Sequence, residues 1–315
     1  MAVENASENL VMDSGKELDF ASMKDSIQLR HGNYFILLSL LFFQFVNWIL
    51  KSHGPPKSLK DDEWKWRNLW VSWFHALITS VWVLTSFYMY PEVFADVILH
   101  VNYYTFFCAC FATGYFTYDL LDILVNNKAR AMWEVVIHHI MVAGMLYYNV
   151  YLKAQIGFSL IAMSVEVNSI FLHWRKLCQM TQVPFDSVKY IVVKYLNLIS
   201  FMAFRLFPLA YITYTLFTMY HRVPVFYYVL IFITMFCMDL LNTILFWRLV
   251  KSDLLRGWGR RQGTTARHGK PGNGHLSNGN NPVEDKKFSS QAACAFNNKN
   301  NNSIDNVTTS LKKEA

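Results

Sequence analysis

Glu134, His138 and His139 stand together in the stretch MWEVVIHHIM, inside a chain whose neighbouring segments are mostly hydrocarbon. A carboxylate one helical turn from an imidazole suits a general base oriented by an acid. Adjacent histidines on a helix point about 100° apart, so only one can look squarely into a shared pocket. His138 falls on the stripe of Glu134, Met141 and Met145, and His139 on that of Val135, Val142 and Leu146. This phase argument selects His138 as the base and Glu134 as its carboxylate. No H-x-x-x-H or H-E-x-x-H spacing occurs, so no metal is expected.

Other costly side chains recur where a lipid-facing helix would carry leucine. GYFTYDLLDIL places Asp119 and Asp122 three apart on one helix face, and SVEVNSIFLHW carries Glu166, Asn168 and His173. Ser72, His75 and Thr79 share a stripe, Asn197 and Arg205 sit in one later segment, and Asp239 and Asn242 in the last. An ionised group at mid-helix costs about 2.5–3.5 kcal/mol on membrane-insertion scales. That cost is met if the helices ring a polar interior lined by Asp119, Asp122, Glu166, Asn168, His75, Arg205 and Asp239. A structural reading stands beside the functional one. Asp122 and Glu134 lie near helix ends, where water or a helix N-terminus can stabilise them, and Arg205 could pair with Asp239 as a buried strut.

The elements that would position these groups are apolar segments near 34–50, 69–90, 101–125, 134–152, 155–173, 190–218 and 223–250. Roughly 20 apolar residues cross a bilayer. With 53 % hydrophobic and 16 % charged residues in 315, such segments leave no room for a soluble core domain. The expectation is an all-α multi-pass membrane protein of about seven transmembrane helices. The second to seventh ring a polar, lipid-accessible cavity, and 34–50 is the first helix, retained rather than cleaved.

Lysines and arginines crowd alternate connections: Lys51, Lys57, Lys60, Lys65 and Arg67, then Lys128 and Arg130, then Arg175, Lys176 and Lys189, then Lys251, Arg256, Arg260 and Arg261. The positive-inside bias puts those connections in the cytosol. Residues 1–33 are then lumenal or extracellular, and 259–315, rich in Gly, Asn, Ser and Lys, form a disordered cytosolic tail. Asn5 begins an N-A-S sequon on the glycosylated side, whereas Asn301 and Asn306 should stay bare. The net charge of +7 sits largely in the tail and suits anionic lipid headgroups rather than nucleic acid. The five cysteines form no disulfide or zinc pattern, and Cys178 is a candidate juxtamembrane palmitoylation site.

YFTYDLLDIL, WEVVIHHIMVAG and EVNSIFLHWR together resemble the core of the TLC-domain family, which takes in the ceramide synthases and the translocon-associated TRAM proteins. WKWRNLWVSWFHALITSVW is similar, more narrowly, to the TLC-domain-containing proteins that control plasma-membrane fluidity. The resemblance covers about 60–255 and implies a six-helix ring with His138 and His139 inside. The synthases follow their histidine pair with a His-Asp and a further Asp. Here VEVNSIF offers only Glu166, so ceramide synthesis is not implied.

What the resemblance implies is a protein that limits incorporation of polyunsaturated acyl chains into phospholipids, with no assigned reaction and no cofactor. Its partners are membrane phospholipids or fatty acyl chains. The alternative is a lipid acyltransferase, ceramide-synthase-like or acting on lysophospholipids, that uses acyl-CoA and His138 as general base. A seven-helix receptor would need a D-R-Y end to the third segment and N-P-x-x-Y in the seventh, which reads MDLLNTILFW. A polar-lined bundle also suits a transporter. The plasma membrane is the expected location. Lys312 and Lys313, just ahead of Glu314 and Ala315, resemble a dilysine retrieval signal and make the endoplasmic reticulum the alternative.

Overall fold

The computed structural model describes residues 22–218 and 220–255. Seven helices among them are long and apolar enough to cross a membrane. They are the first to seventh spans: Leu29–His53, Lys57–Met89, Tyr103–Val125, Trp133–Leu152, Ile156–Met180, Val188–Thr218 and Val225–Asp253. The described residues include no strand. Several spans run past the limits that hydropathy sets, because a helix ends at a cap or a breaker and not where apolar side chains end. Gly54 closes the first helix with φ +71°, its N–H bonded to the Leu50 carbonyl. Asn102 and Thr105 open the third with a reciprocal capping box. Pro224 precedes the seventh.

Two spans are interrupted. The fifth divides into Ile156–Met163 and Glu166–Met180 across Ser164 and Val165. The sixth widens to a π turn over Met202–Leu206, between Val188–Phe201 and Phe207–Thr218. Pro208 has a local part in this, since it has no N–H to return to the preceding turn. The Phe207 N–H reaches five residues back to the Met202 carbonyl, and the extra residue turns Arg205 inward.

The first span lies outside the ring. It crosses the third at Gly114, where an added Cβ would meet the Ile36 carbonyl at 2.5 Å. There Ser39 Oγ donates to the Phe111 carbonyl at 2.7 Å. A small residue lets the backbones close to this distance. Phe43 completes the contact, its ring 5.0 Å from that of Tyr115. Residues lining the interior cavities come from the second to seventh spans, so the six-helix ring expected from the sequence is the architecture observed. The outer surface carries Leu38, Phe45, Ile199, Phe207 and Phe236, all exposed as lipid contact requires.

The two ends of the bundle are tied differently. At one, Lys153 and Gln155 turn the chain with left-handed φ of 49° and 54°. Lys153 Nζ there donates to the Lys24 and Ile27 carbonyls at 2.8 and 3.0 Å. The opposite end is held by charge. Arg248 binds Glu134 through two 2.7 Å bonds, and Arg175 Nε binds Asp253 at 2.8 Å.

Candidate functional site

Two chambers lie within the ring. A polar vestibule of about 270 Å³ opens near Glu134, Lys176 and Arg248 and carries Asp119, His138 and His139 on its walls. A narrower chamber of about 100 Å³ lies beyond, walled by side chains such as Val142, Leu146, Phe158, Ile212 and Met235. Phe116, His138, Val165, Glu166, Arg205 and Asn242 line both. The polar and apolar chambers therefore adjoin across these six side chains.

Asp119 is the buried anchor of the vestibule. Its Oδ1 accepts from Asn68 Nδ2 at 2.6 Å, and its Oδ2 lies 3.1 Å from His139 Nδ1. The ring is turned so that the N–H direction misses the oxygen, so the contact is close without being an aligned hydrogen bond. The second, third and fourth spans meet in this one triad. Asp119 faces Nδ1 of His139, and Nε2 is the ring nitrogen on the side away from that carboxylate.

The contacts differ from the Glu134–His138 pairing drawn from helical phase. His139, not His138, has the carboxylate. Glu134 is engaged with Arg248 at the mouth and does not orient His138. His138 Nδ1 instead lies 3.0 Å from Met238 Sδ, at the junction of the chambers. Phase gives the angle between two side chains on one helix. It does not say which neighbouring helix packs on each side, and the third span packs on the side of His139.

Glu166 begins the second half of the broken fifth helix, where the helix N-terminus favours negative charge. Its Oε2 is 3.8 Å from His75 Nδ1. His75 stacks on Tyr115 with ring centroids 3.6 Å apart and supports the wall from behind instead of lining the cavity. Arg205 supplies the cation beside Glu166. It donates to Asn168 Oδ1 at 3.0 Å, to Asn242 Oδ1 at 2.8 Å and to Ser169 Oγ at 3.0 Å. Asn168 is wholly buried and donates in turn to Asn197 Oδ1 and Ser200 Oγ, so it holds Arg205 in place without reaching the cavity.

Besides His75 and Asn168, two more expected lining residues lie elsewhere. Asp239 accepts from Thr213 Oγ1 at 3.2 Å in an outer groove between the sixth and seventh spans, and no strut joins it to Arg205. Its neighbour three residues on, Asn242, points inward and takes that guanidinium. Asp122 accepts from Trp64 Nε1 at 2.9 Å and from Asn126 near the end of its helix, the interfacial role. Cys178 is half-buried near the end of the fifth span. Asn5, Cys294, Lys312 and Lys313 fall outside the described residues. Among the described residues no three His, Cys, Asp or Glu side chains converge as a metal site requires.

Sequence reasoning passed over Asn68, Tyr115, Ser169 and Arg248. Asn68 was reachable: it lies one turn before Ser72 and extends the polar stripe of the second span. Arg248 reads in the sequence only as a flanking charge.

Seven apolar spans, six of them around a polar chamber that adjoins an apolar one, define a multi-pass membrane protein with an interior cavity. The chain belongs to the TLC-domain family, whose model matches residues 65–251. It is 33 % identical to TLC domain-containing protein 2 of Danio rerio over 218 residues, 69 % of this chain and 88 % of that one. It is 30 % identical to TLC domain-containing protein 1 of Mus musculus over 221 residues, again 69 % and 88 % of the two chains. The human TLC domain-containing protein 2 is 31 % identical over 219 residues, 69 % of this chain and 82 % of its own length. No solved structure matches the chain.

Proposed function

We propose that this protein handles membrane lipids in its interior and thereby sets phospholipid acyl composition, limiting incorporation of polyunsaturated chains and keeping the membrane stiffer. The observation that carries the reading is that the two chambers adjoin and share His138, Glu166, Arg205 and Asn242 as lining. A polar space joined to a hydrocarbon-lined one fits an amphiphile, with a headgroup in the vestibule and an acyl chain beyond. Cells lacking the protein and fed a labelled polyunsaturated fatty acid should carry more of it in phospholipid, by mass spectrometry, than cells re-expressing it. Identical profiles in the two lines would sink the reading.

A second reading is favoured by the Asp119–His139 pair. In lipid acyl transfer, His139 Nε2 takes the proton of an acceptor hydroxyl as its oxygen attacks the acyl-CoA carbonyl, and coenzyme A departs as the thiol. Acyl-CoA is then a co-substrate, and no other cofactor is needed.

The distribution of Lys and Arg supports an orientation with the vestibule mouth toward the cytosol and residues 1–33 outside. We assign the protein to the plasma membrane, with the endoplasmic reticulum as the alternative destination set by Lys312 and Lys313. Imaging with a free C-terminus and an N-terminal tag should show the tag stained at the surface of unpermeabilised cells. Internal retention relieved by Lys312→Ser/Lys313→Ser would overturn the plasma-membrane assignment, and a tag reached only after permeabilisation of surface-resident protein would overturn the orientation.

A further inference from the structure

The cations at the vestibule mouth are not equivalent. Arg248 is committed twice to Glu134, and Arg175, beside Lys176 in sequence but outside the lining, to Asp253 and Ser252 Oγ. Lys176 makes no hydrogen bond or ion pair with any described residue, yet it lines the vestibule. One turn deeper, His173 lines the same wall, and its Nδ1 is buried without a hydrogen-bond partner. Ser169, His173 and Lys176 follow at helical spacing, so hydroxyl, imidazole and ammonium form one stripe of the fifth span facing the chamber.

Depth fits the same picture. Lys176 lies four residues before Met180, about 6 Å from the helix end at 1.5 Å per residue. That is the level at which lipid headgroups begin, not the middle of the hydrocarbon. From Glu134 at this mouth to Asn149 in the apolar chamber, the fourth span covers about 22 Å along its axis. An anionic headgroup held at Lys176 would leave its chain pointing into the apolar chamber.

We propose that the Lys176–His173 wall is a phosphate subsite, so that the amphiphile taken up is phosphate-bearing. The inference rests on the amphiphile reading given above and adds the headgroup. Lys176 provides a point charge with three rotatable donors, suited to a phosphate oxygen, and His173 provides a second polar contact one turn in. The phosphate belongs either to a phospholipid headgroup or to coenzyme A.

The full-length protein in nanodiscs can be photolabelled with two probes of identical diazirine acyl chain, a lysophosphatidate and a monoacylglycerol. The native protein should prefer the phosphate probe by about tenfold, and Lys176→Gln should remove that preference while leaving monoacylglycerol labelling unchanged. Lys176→Arg should retain most of it. Competition by free coenzyme A would assign the phosphate to an acyl-CoA, and competition by unlabelled lysophospholipid alone would assign it to a lipid headgroup. Equal labelling by both probes in the native protein overturns the subsite but leaves the amphiphile reading standing. A preference that survives in Lys176→Gln overturns the subsite too. Absence of saturable labelling by either probe overturns the amphiphile reading itself.

Discussion

Arg205→Ala should destabilise the protein by about 3–5 kcal/mol, the usual cost of removing one partner from a buried charged network. The substitution strips donors from Asn168, Asn242 and Ser169 at once and leaves Glu166 without its neighbouring cation. Interhelical hydrogen bonds in membranes average only about 0.6 kcal/mol, so most of the effect must come from the uncompensated charge. Glu166→Gln in the same chain should therefore recover a large part of the loss. The measurement is a double-mutant cycle of Arg205→Ala and Glu166→Gln on the purified protein in mixed micelles, followed by unfolding in graded denaturing detergent. A single-mutant loss below about 1 kcal/mol would show that the two charges are not coupled and that Arg205 is solvated through the vestibule.

The second large effect concerns the histidines. His139→Ala should abolish the influence of the protein on phospholipid acyl profiles at unchanged abundance, whereas His138→Ala should alter which chains are handled. The reason is geometric: His139 is the imidazole beside Asp119, while His138 sits against Met238 where the chambers join. Asp119→Asn keeps the shape and the contact to Asn68 but removes the negative charge beside Nδ1 of His139. If purified protein transfers acyl groups, His139→Ala and Asp119→Asn should each lower turnover by roughly a hundredfold or more, the range for loss of a positioned general base. Lipid composition is to be normalised to correctly inserted protein for every variant. Loss of effect that only tracks loss of protein would reduce the Asp119–His139 pair to a structural contact, since a stranded buried partner costs about 1–3 kcal/mol by itself.

Much of the architecture was legible in the chain. Seven apolar segments of sufficient length can be satisfied in a bilayer only as helices, because each backbone N–H and carbonyl needs a partner within its own segment. The density of polar residues within them required an interior where those groups could meet. Both conclusions follow from solvation energies that depend on residue type and spacing, so no coordinates were needed. Helix limits were less legible, since the cap at Asn102 and the turn at Gly54 are local backbone chemistry that hydropathy does not register.

The partners within the site were decided by tertiary structure. Helical phase put Glu134 beneath His138, but a residue on the seventh span, Arg248, claimed that carboxylate with two hydrogen bonds. Asp119 reached His139 because the third span packs against that side of the fourth. Asp239 and Asn242 look equivalent in sequence, yet only Asn242 faces Arg205, whose direction depends on a π turn within the sixth span. The sequence by itself determined which side chains had to be sheltered from hydrocarbon. Which of them would face each other depended on the rotation and crossing of separate helices, and those are set by packing across the whole bundle, such as the close approach at Gly114, and not by any single segment.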